Sequence, residues 1–359
     1  MSVWDWADLR ELAAPEHRVT LGEGNTPLVR SLRLGPEVGL ENLWYKLDYA
    51  TPTGSYKDRF AAGAISTMRA RGQRRCIATS SGNTGAALAA YCAAAGMACE
   101  IAIVEGAPDG KLRQMQAYGA RIYRVKGFGL DPEVSRATFA FLQKRAAAPD
   151  AALQISAFHY SPEGMTCVQS LSYELARQFP ELPDHVFCQS GGGGLTLAVA
   201  RGFRHLAAIG DPRPTPRIEC VQPAGNDTIA TPLRNGLDRA RSVPCTSRIS
   251  GLQVPDVIDG HETLAACRAS GGTGHVVEDD LVWEIQSRLA REEGLFCEPA
   301  AATAVAGALQ AARRGEIDPS ARVVCLLTGI GFKDPPSLER MAGPSCPIYA
   351  LEELDEALG

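Results

Sequence analysis

Between residues 75 and 156 the spacing of hydrophobic positions switches repeatedly between two periods. Short apolar and β-branched runs at 76–79, 99–104, 121–125 and 152–155 predict strands. The stretches between them, 84–95, 110–118 and 132–147, carry apolar residues at helical spacing and predict helices. Strand, helix and strand in that order make parallel strands joined by crossover helices. The alternation resumes with a strand at 186–188, a helix at 195–206, a strand at 217–221, helices at 281–293 and 299–313, and a strand at 323–327. The expected fold class is therefore α/β, with two doubly wound domains built on mostly parallel sheets. Residues 253–260 follow neither period and stay unassigned.

A chain of 359 residues, 45% hydrophobic and 21% charged, can bury the core of one large domain or two ordinary ones. Its formal charge of -5 comes without a basic stripe, which argues against nucleic acid or an anionic membrane as partner. No segment reaches membrane-spanning length, and Met1-Ser2-Val3-Trp4-Asp5-Trp6 is neither a secretion signal nor a transit peptide, so the expected location is cytoplasmic. Most of the eleven cysteines, among them Cys92, Cys188 and Cys325, lie inside apolar patterns and read as small buried hydrophobes. With no C-x-x-C and no H-x-x-x-H among the six histidines, no metal is expected, and His261-Glu262 is too short to be a metal motif.

In doubly wound sheets ligands sit beyond the carboxyl ends of the strands. Three clusters of glycine and hydroxyl residues fall there: Ser80-Ser81-Gly82-Asn83-Thr84-Gly85, Gly191-Gly192-Gly193-Gly194 and Thr328-Gly329-Ile330-Gly331. The tetraglycine stands between an apolar strand and a helix. Without Cβ atoms its successive N–H groups can point at one anion, and the helix start adds free N–H groups and a positive dipole end. A simple turn needs one or two glycines, so four in a row read as a phosphate cradle. Upstream, Lys57 lies in Thr53-Gly54-Ser55-Tyr56-Lys57-Asp58-Arg59. A lysine amine attacks a carbonyl only when deprotonated, and a Gly-Ser turn with Arg59 nearby to discourage the charge suits a Schiff-base former. Alone, Lys57 reads as a solvated lysine paired with Asp58; with a phosphate cradle downstream, the two point to pyridoxal 5'-phosphate. Nucleotide phosphate is the competing ligand, but there is no G-x-x-x-x-G-K-[ST]. Gly22-Glu23-Gly24 only begins a G-x-G-x-x-G, with Pro27 at the third glycine.

With these motifs in order, the chain resembles the threonine synthases, within the tryptophan-synthase-like pyridoxal enzymes of fold type II. The resemblance runs from Leu21-Gly22-Glu23-Gly24-Asn25-Thr26-Pro27-Leu28 to Thr328-Gly329-Ile330-Gly331-Phe332-Lys333-Asp334-Pro335, and includes Gly110-Lys111-Leu112, Tyr118-Gly119-Ala120 and Cys297-Glu298-Pro299-Ala300. It implies that Lys57 is the catalytic residue, bonding to the cofactor's aldehyde and then moving the substrate's Cα proton. Asn83 would bind the cofactor's ring oxygen, and Ser80, Ser81 and Thr84 the substrate carboxylate at a helix start. Gly191, Gly192, Gly193 and Gly194 would hold the phosphate. Thr328 would face the pyridine nitrogen, where a neutral hydroxyl makes a weaker electron sink than an aspartate and favours elimination over transamination. Taken singly, residues 80–84 read as a helix cap, Thr328 as a strand-end turn and Glu298 as a helix start. The chain would divide into an N-terminal helical segment at 1–20, a large cofactor-binding domain at 21–57 plus 161–345, a small mobile domain at 58–160 and a tail at 346–359. A homodimer acting on a small amino-acid substrate is implied.

The departures concern the grip on a substrate phosphate. Where the family usually has an arginine two residues before a Glu-Gly, this chain has Ser161 ahead of Glu163-Gly164. Where the family has an asparagine after its glycine loop, it has Leu195, and the histidine of Thr-Gly-His-Gly is Ile330. Losing a guanidinium and an amide from a phosphate pocket removes charge-assisted hydrogen bonds worth roughly a few kcal/mol. The expectation is a lyase or synthase that eliminates or replaces a Cβ or Cγ substituent of a small amino acid, with altered substrate-phosphate recognition. The alternatives are an unmodified threonine synthase, with Lys111 and Arg113 holding the phosphate of O-phosphohomoserine, a serine/threonine dehydratase, a cysteine or 2,3-diaminopropionate synthase, and a non-catalytic pyridoxal-phosphate-binding relative.

Overall fold

The computed structural model describes residues 2–80, 82–107, 109–343 and 347–358. Among them ten strands form two sheets: β1 (Leu28–Arg30), β2 (Leu43–Leu47), β3 (Arg75–Ala78), β4 (Ala98–Ile103), β5 (Arg121–Arg124), β6 (Ala151–Gln154), β7 (His185–Gln189), β8 (Arg217–Pro223), β9 (Gly274–Val277) and β10 (Val323–Leu327). The larger sheet has the order β1-β2-β10-β7-β8-β9 and the smaller one β5-β4-β3-β6. All neighbours run parallel except β1 with β2. Among the described residues no helix is long and apolar enough to cross a membrane.

The strands read from the sequence lie within two residues of their predicted bounds, because strands covered on both faces are continuous apolar runs. In β10, Val324 and Leu326 face one apolar core while Val323, Cys325 and Leu327 face another. Elements that hydrophobic spacing did not announce include β1, β2, β9, the helices Pro162–Val168, Ser170–Gln178 and Gly260–Ala269, and the helix α1 (Lys57–Ala70). The last begins with three charged residues, two of which, Asp58 and Arg59, are fully buried, so a polar-looking start conceals a core helix. Residues 2–20 contain three short 3₁₀ turns, Val3–Asp5, Leu9–Leu12 and Pro15–His17, rather than regular helices. Residues 253–259 form an irregular loop ahead of the helix Gly260–Ala269.

Four further helices shape the centre: α2 (Asn83–Ala95), α3 (Ser170–Gln178), α4 (Gly194–Ala208) and α5 (Pro299–Arg313). In each sheet the chain reverses its direction of travel at one crevice. β3 and β6 are neighbours although β4 and β5 lie on the far side of β3, and β7 and β10 are neighbours although β8 and β9 lie beyond β7. Such switch points leave the loops after the two adjacent strands diverging, with room for a ligand between them.

Arg59 ties these parts together. Its guanidinium meets Asp48, just beyond β2, at 2.6 Å and Glu174 on α3 at 2.6 Å, while Lys46 on β2 meets Glu174 at 2.8 Å, all four side chains being buried. Glu174 also accepts from the backbone N–H groups of Asn25 and Thr26. The expectation that Arg59 discourages the charge on Lys57 is therefore corrected: the guanidinium turns into its own carboxylate pair. Burial raises the Glu174 carboxyl, but Arg59 and Lys46 outweigh it and hold the group well below the usual carboxylate range. Breaking such a network from one side leaves uncompensated buried charge, which costs about 3–5 kcal/mol. Glu174→Gln is expected to lose that much stability in denaturant unfolding at neutral pH. Because the folded carboxyl is depressed, the wild-type advantage is complete above the unfolded carboxylate's pKa of 4.5 and shrinks as the pH falls below it. An unchanged midpoint in the variant would remove Glu174 from the frame.

Candidate active site

The turn before α1 is stitched to the end of β10. Ser55 pairs with Gly329, Tyr56 N–H donates to Thr328 O at 3.0 Å, and Ile330 N–H donates to Gly54 O at 2.9 Å. Gly54 sits at φ +85°, a left-handed conformation that glycine adopts without strain. Asp58 accepts from the N–H and hydroxyl of Thr53 at 2.8 and 2.7 Å, so it closes the turn rather than pairing with Lys57. These bonds put Lys57 at the first position of α1, with its amine in a cavity of about 580 Å³ between the two sheets. Burial pushes its pKa down to about 8, against the nearby carboxylates of Glu298 and Asp259.

The Lys57 amine donates to Ser156 Oγ at 2.6 Å, and Ser156 Oγ lies 2.9 Å from Thr84 Oγ1. Ser156 follows β6 and Thr84 follows β3, so the crevice of the smaller sheet brings both hydroxyls to the lysine. Ser80, which also lines the cavity, accepts from Gly82 N–H; Ser81 lies outside the described residues. Asn83 lines the same wall, and its Nδ2 donates to both oxygens of Glu298, at 2.9 and 3.2 Å. The link joins the start of α2 to the start of α5.

Across the cavity, in the crevice of the larger sheet, Gly191, Gly192, Gly193 and Gly194 run into α4. Gly191 O accepts from Gln222 Nε2 at 3.2 Å, Gly192 O from Asp259 N–H at 3.0 Å and Gly193 O from the Thr263 hydroxyl at 3.1 Å. In a planar trans peptide the next N–H points opposite to its carbonyl, so those of Gly192, Gly193 and Gly194 face away from these partners. Gly193 has φ +101°, and a Cβ there would stand 2.3 Å from Thr263 Oγ1. Position 193 is thus closed to a larger residue, and the loop is shaped as an anion cup at a helix start. Thr328 ends β10, buried, and its hydroxyl accepts from Gln189 Nε2 at the end of β7. Gln189 Oε1 is buried and meets no partner among the described residues.

Lys57, Ser80, Asn83, Thr84, the four glycines and Thr328 therefore meet in one cavity. Ser161 does not line it; its hydroxyl accepts from Ile155 N–H at 3.1 Å. Leu195 lines it, whereas Arg113 is exposed and does not; the Lys111 side chain lies outside the described ones. Three contributors escaped the sequence reading: Ser156, Gln189 and the cavity-facing role of Lys333, which donates to Gln114 Oε1 at 2.6 Å. Ser156 and Gln189 could have been found from position, since each stands at or just after the carboxyl end of a switch-point strand. A larger, open depression of about 1090 Å³ flanks the opposite ends of β7 and β8, with Arg217 and Arg322 on its wall; none of the glycine clusters reaches it.

A lysine of depressed pKa, an anion cup opposite it and a buried hydroxyl between two strand ends fit an aldehyde, a phosphate and a pyridine nitrogen of one cofactor. Residues 19–329 match the family of pyridoxal-phosphate-dependent enzymes. The chain is 31% identical to the threonine synthase of Methanocaldococcus jannaschii over 93% of its own length and 81% of that protein's. It is likewise 31% identical to the threonine synthase of Mycobacterium tuberculosis, over 94% and 91%. The fold superposes on maize serine racemase with a TM-score of 0.75 at 24% identity, covering 92% of this chain and 94% of that one. Its two sheets are those of fold type II, and the chain belongs to the pyridoxal-phosphate-dependent enzymes, related within them to the threonine synthases.

Proposed function

We propose that the protein is a lyase or synthase with altered substrate-phosphate recognition, which eliminates a Cβ or Cγ substituent of a small amino acid or replaces it by water or a second nucleophile. The observation that carries this reading is the hydrogen-bonded run Lys57–Ser156–Thr84, which links a base to the hydroxyls at the start of α2. Lys57 would hold the cofactor by its aldehyde, and its amine would take the substrate's Cα proton. Ser80 and Thr84, with the free N–H groups at the start of α2, bind and orient the substrate carboxylate. Gly191, Gly192, Gly193 and Gly194 would hold the cofactor's phosphate, and Asn83 would bind its ring oxygen. Bound pyridoxal phosphate supplies an electron sink for the pair left at Cα. Thr328 is neutral and its hydroxyl accepts from Gln189, leaving its proton for the pyridine nitrogen and favouring elimination.

The leaving group is read from what lines the cavity. Among the described residues no arginine does so, and Leu195 presents an apolar side chain, which supports a substrate of the serine or threonine type. One observation favours the other reading, an authentic threonine synthase: Lys333 lines the same cavity and brings a cationic side chain. Absorbance spectra taken with serine, threonine, O-acetylserine, O-phosphoserine and O-phosphohomoserine in turn, with phosphate and keto acid assayed, decide between them. The first reading expects turnover of the serine- or threonine-type compounds; phosphate and threonine formed from O-phosphohomoserine alone would replace it by the second.

Three further outcomes are expected. Uptake of pyridoxal phosphate by the cofactor-free protein accelerates with pH and levels off above about 8, where an ordinary lysine would continue towards about 10. Lys57→Ala abolishes borohydride-fixable cofactor and lowers turnover by about 10²–10⁴-fold; cofactor still fixed elsewhere on the chain would displace Lys57 from its role. Thr328→Asp, which puts a carboxylate where the hydroxyl stands, is expected to raise the share of transamination product in the same assay, and an unaltered product ratio would detach Thr328 from the pyridine nitrogen.

A further inference from the structure

Cys76, Cys92 and Cys99 come from three different elements of the smaller unit, β3, α2 and β4. Cys76 and Cys99 are direct register partners on neighbouring parallel strands, so their side chains share a face, and α2 lays Cys92 over them. The three sulfurs lie within 4.8 Å of one another, and all three residues are buried. Nothing in the amino-acid chemistry already described uses them. Their spacing, 16 and 7 residues apart, resembles no metal motif, and only the packing of helix on sheet makes the triangle.

Three sulfurs bonded at about 2.3 Å to one ion stand at most about 4 Å apart, and closer where a lone pair makes the ion pyramidal, so sulfurs within 4.8 Å of one another need only a small approach. A structural zinc site needs a fourth ligand, and among the described residues the group has three. Charge narrows the choice further. The cluster lies in the main apolar core, where net charge is strongly disfavoured unless paired. Three thiolates with a monovalent ion carry two negative charges, and with a divalent ion one. With a trivalent ion the complex is neutral.

We propose that Cys76, Cys92 and Cys99 form a three-thiolate site for a trivalent thiophilic metalloid, with arsenic(III) as its representative. Arsenous acid reacts with the three thiols to form three As–S bonds; three As–O and three S–H bonds break, and the hydroxyls leave with the protons as three waters. Nothing is oxidised or reduced. The adduct joins β4 to β3 and α2, which flank Ser80 and of which α2 carries Asn83 and Thr84, so an occupied site braces one wall of the cavity from behind.

The test loads the holoenzyme with arsenite, both in its native state and by refolding in arsenite, removes the excess and measures arsenic per chain. One arsenic per chain is expected, together with three sulfur neighbours and no oxygen neighbour in the arsenic X-ray absorption spectrum. Cys92→Ala, a small apolar change among the alanines of α2, and Cys76→Ala should each lower retention at least tenfold, while Cys167→Ala, which replaces a buried cysteine outside the cluster, keeps it. No retained arsenic by either route, fewer than three sulfur neighbours, or retention in the Cys76 or Cys92 variant equal to that of the wild type would overturn the assignment. So would preferential loading of zinc or cadmium from an equimolar mixture, because the neutral adduct is the reason for choosing a trivalent ion.

Discussion

The buried contact of Arg59 with Asp48 and Glu174 is the constraint on which the placement of Lys57 depends. Arg59 stands two positions after Lys57 on α1, so whatever fixes its guanidinium fixes the start of that helix. The partners arrive from the end of β2 and from α3, and the residues around position 26 are tied in through Glu174. A planar guanidinium with two carboxylates has little freedom to tilt. A hydrophobic substitute would fill the space but would not set the direction, and direction is what an amine in a closed cavity requires. The ions are therefore better understood as orienting the frame than as stabilising it relative to an apolar core.

Around that frame the chemistry follows from topology. Each sheet has one crevice where neighbouring strands send their chains apart, and the two crevices face one another. One supplies the hydroxyls of Thr84 and Ser156; the other supplies the glycine loop and Thr328. The lysine stands between them on a turn bonded to the end of β10, which is why a backbone bond from Tyr56 to Thr328 matters as much to the site as any side chain. Burial alone depresses the amine, since the nearest charges, Glu298 and Asp259, pull the other way. Exclusion of water thus makes the Lys57 amine easier to deprotonate, with the two carboxylates limiting how far the shift goes.

Much of this was legible in the sequence, and the limits have physical causes. Parallel strands covered on both faces write themselves as apolar runs, so β3 to β8 and β10 could be read to within two residues, and the glycine clusters fall at their ends as the fold requires. The start of α1 could not, because Asp58 and Arg59 look like surface residues until their partners, 11 to 115 positions away for Arg59, are known. The role assigned to Arg59 failed for the same reason. Ser156 and Gln189 lacked any motif; only the strand order, which periodicity does not carry, says that the ends of β6 and β7 open onto the same cavity as Lys57. Ser161 illustrates the converse, a position picked out by resemblance whose hydroxyl here serves the backbone of Ile155.

The run from Lys57 through Ser156 to Thr84 has a polarity. Each hydroxyl owns one proton, so the two can point in series toward α2 or in series toward the lysine, and a mixed order would leave two protons facing each other or an oxygen pair with none. An acceptor arriving beside Thr84 draws that proton to itself; Ser156 then donates to Thr84, and the amine must donate to Ser156. The lone pair of the uncharged amine is thereby turned away from the serine and into the cavity. Occupation of one end of the chain sets the aim of the base at the other without any movement of the backbone.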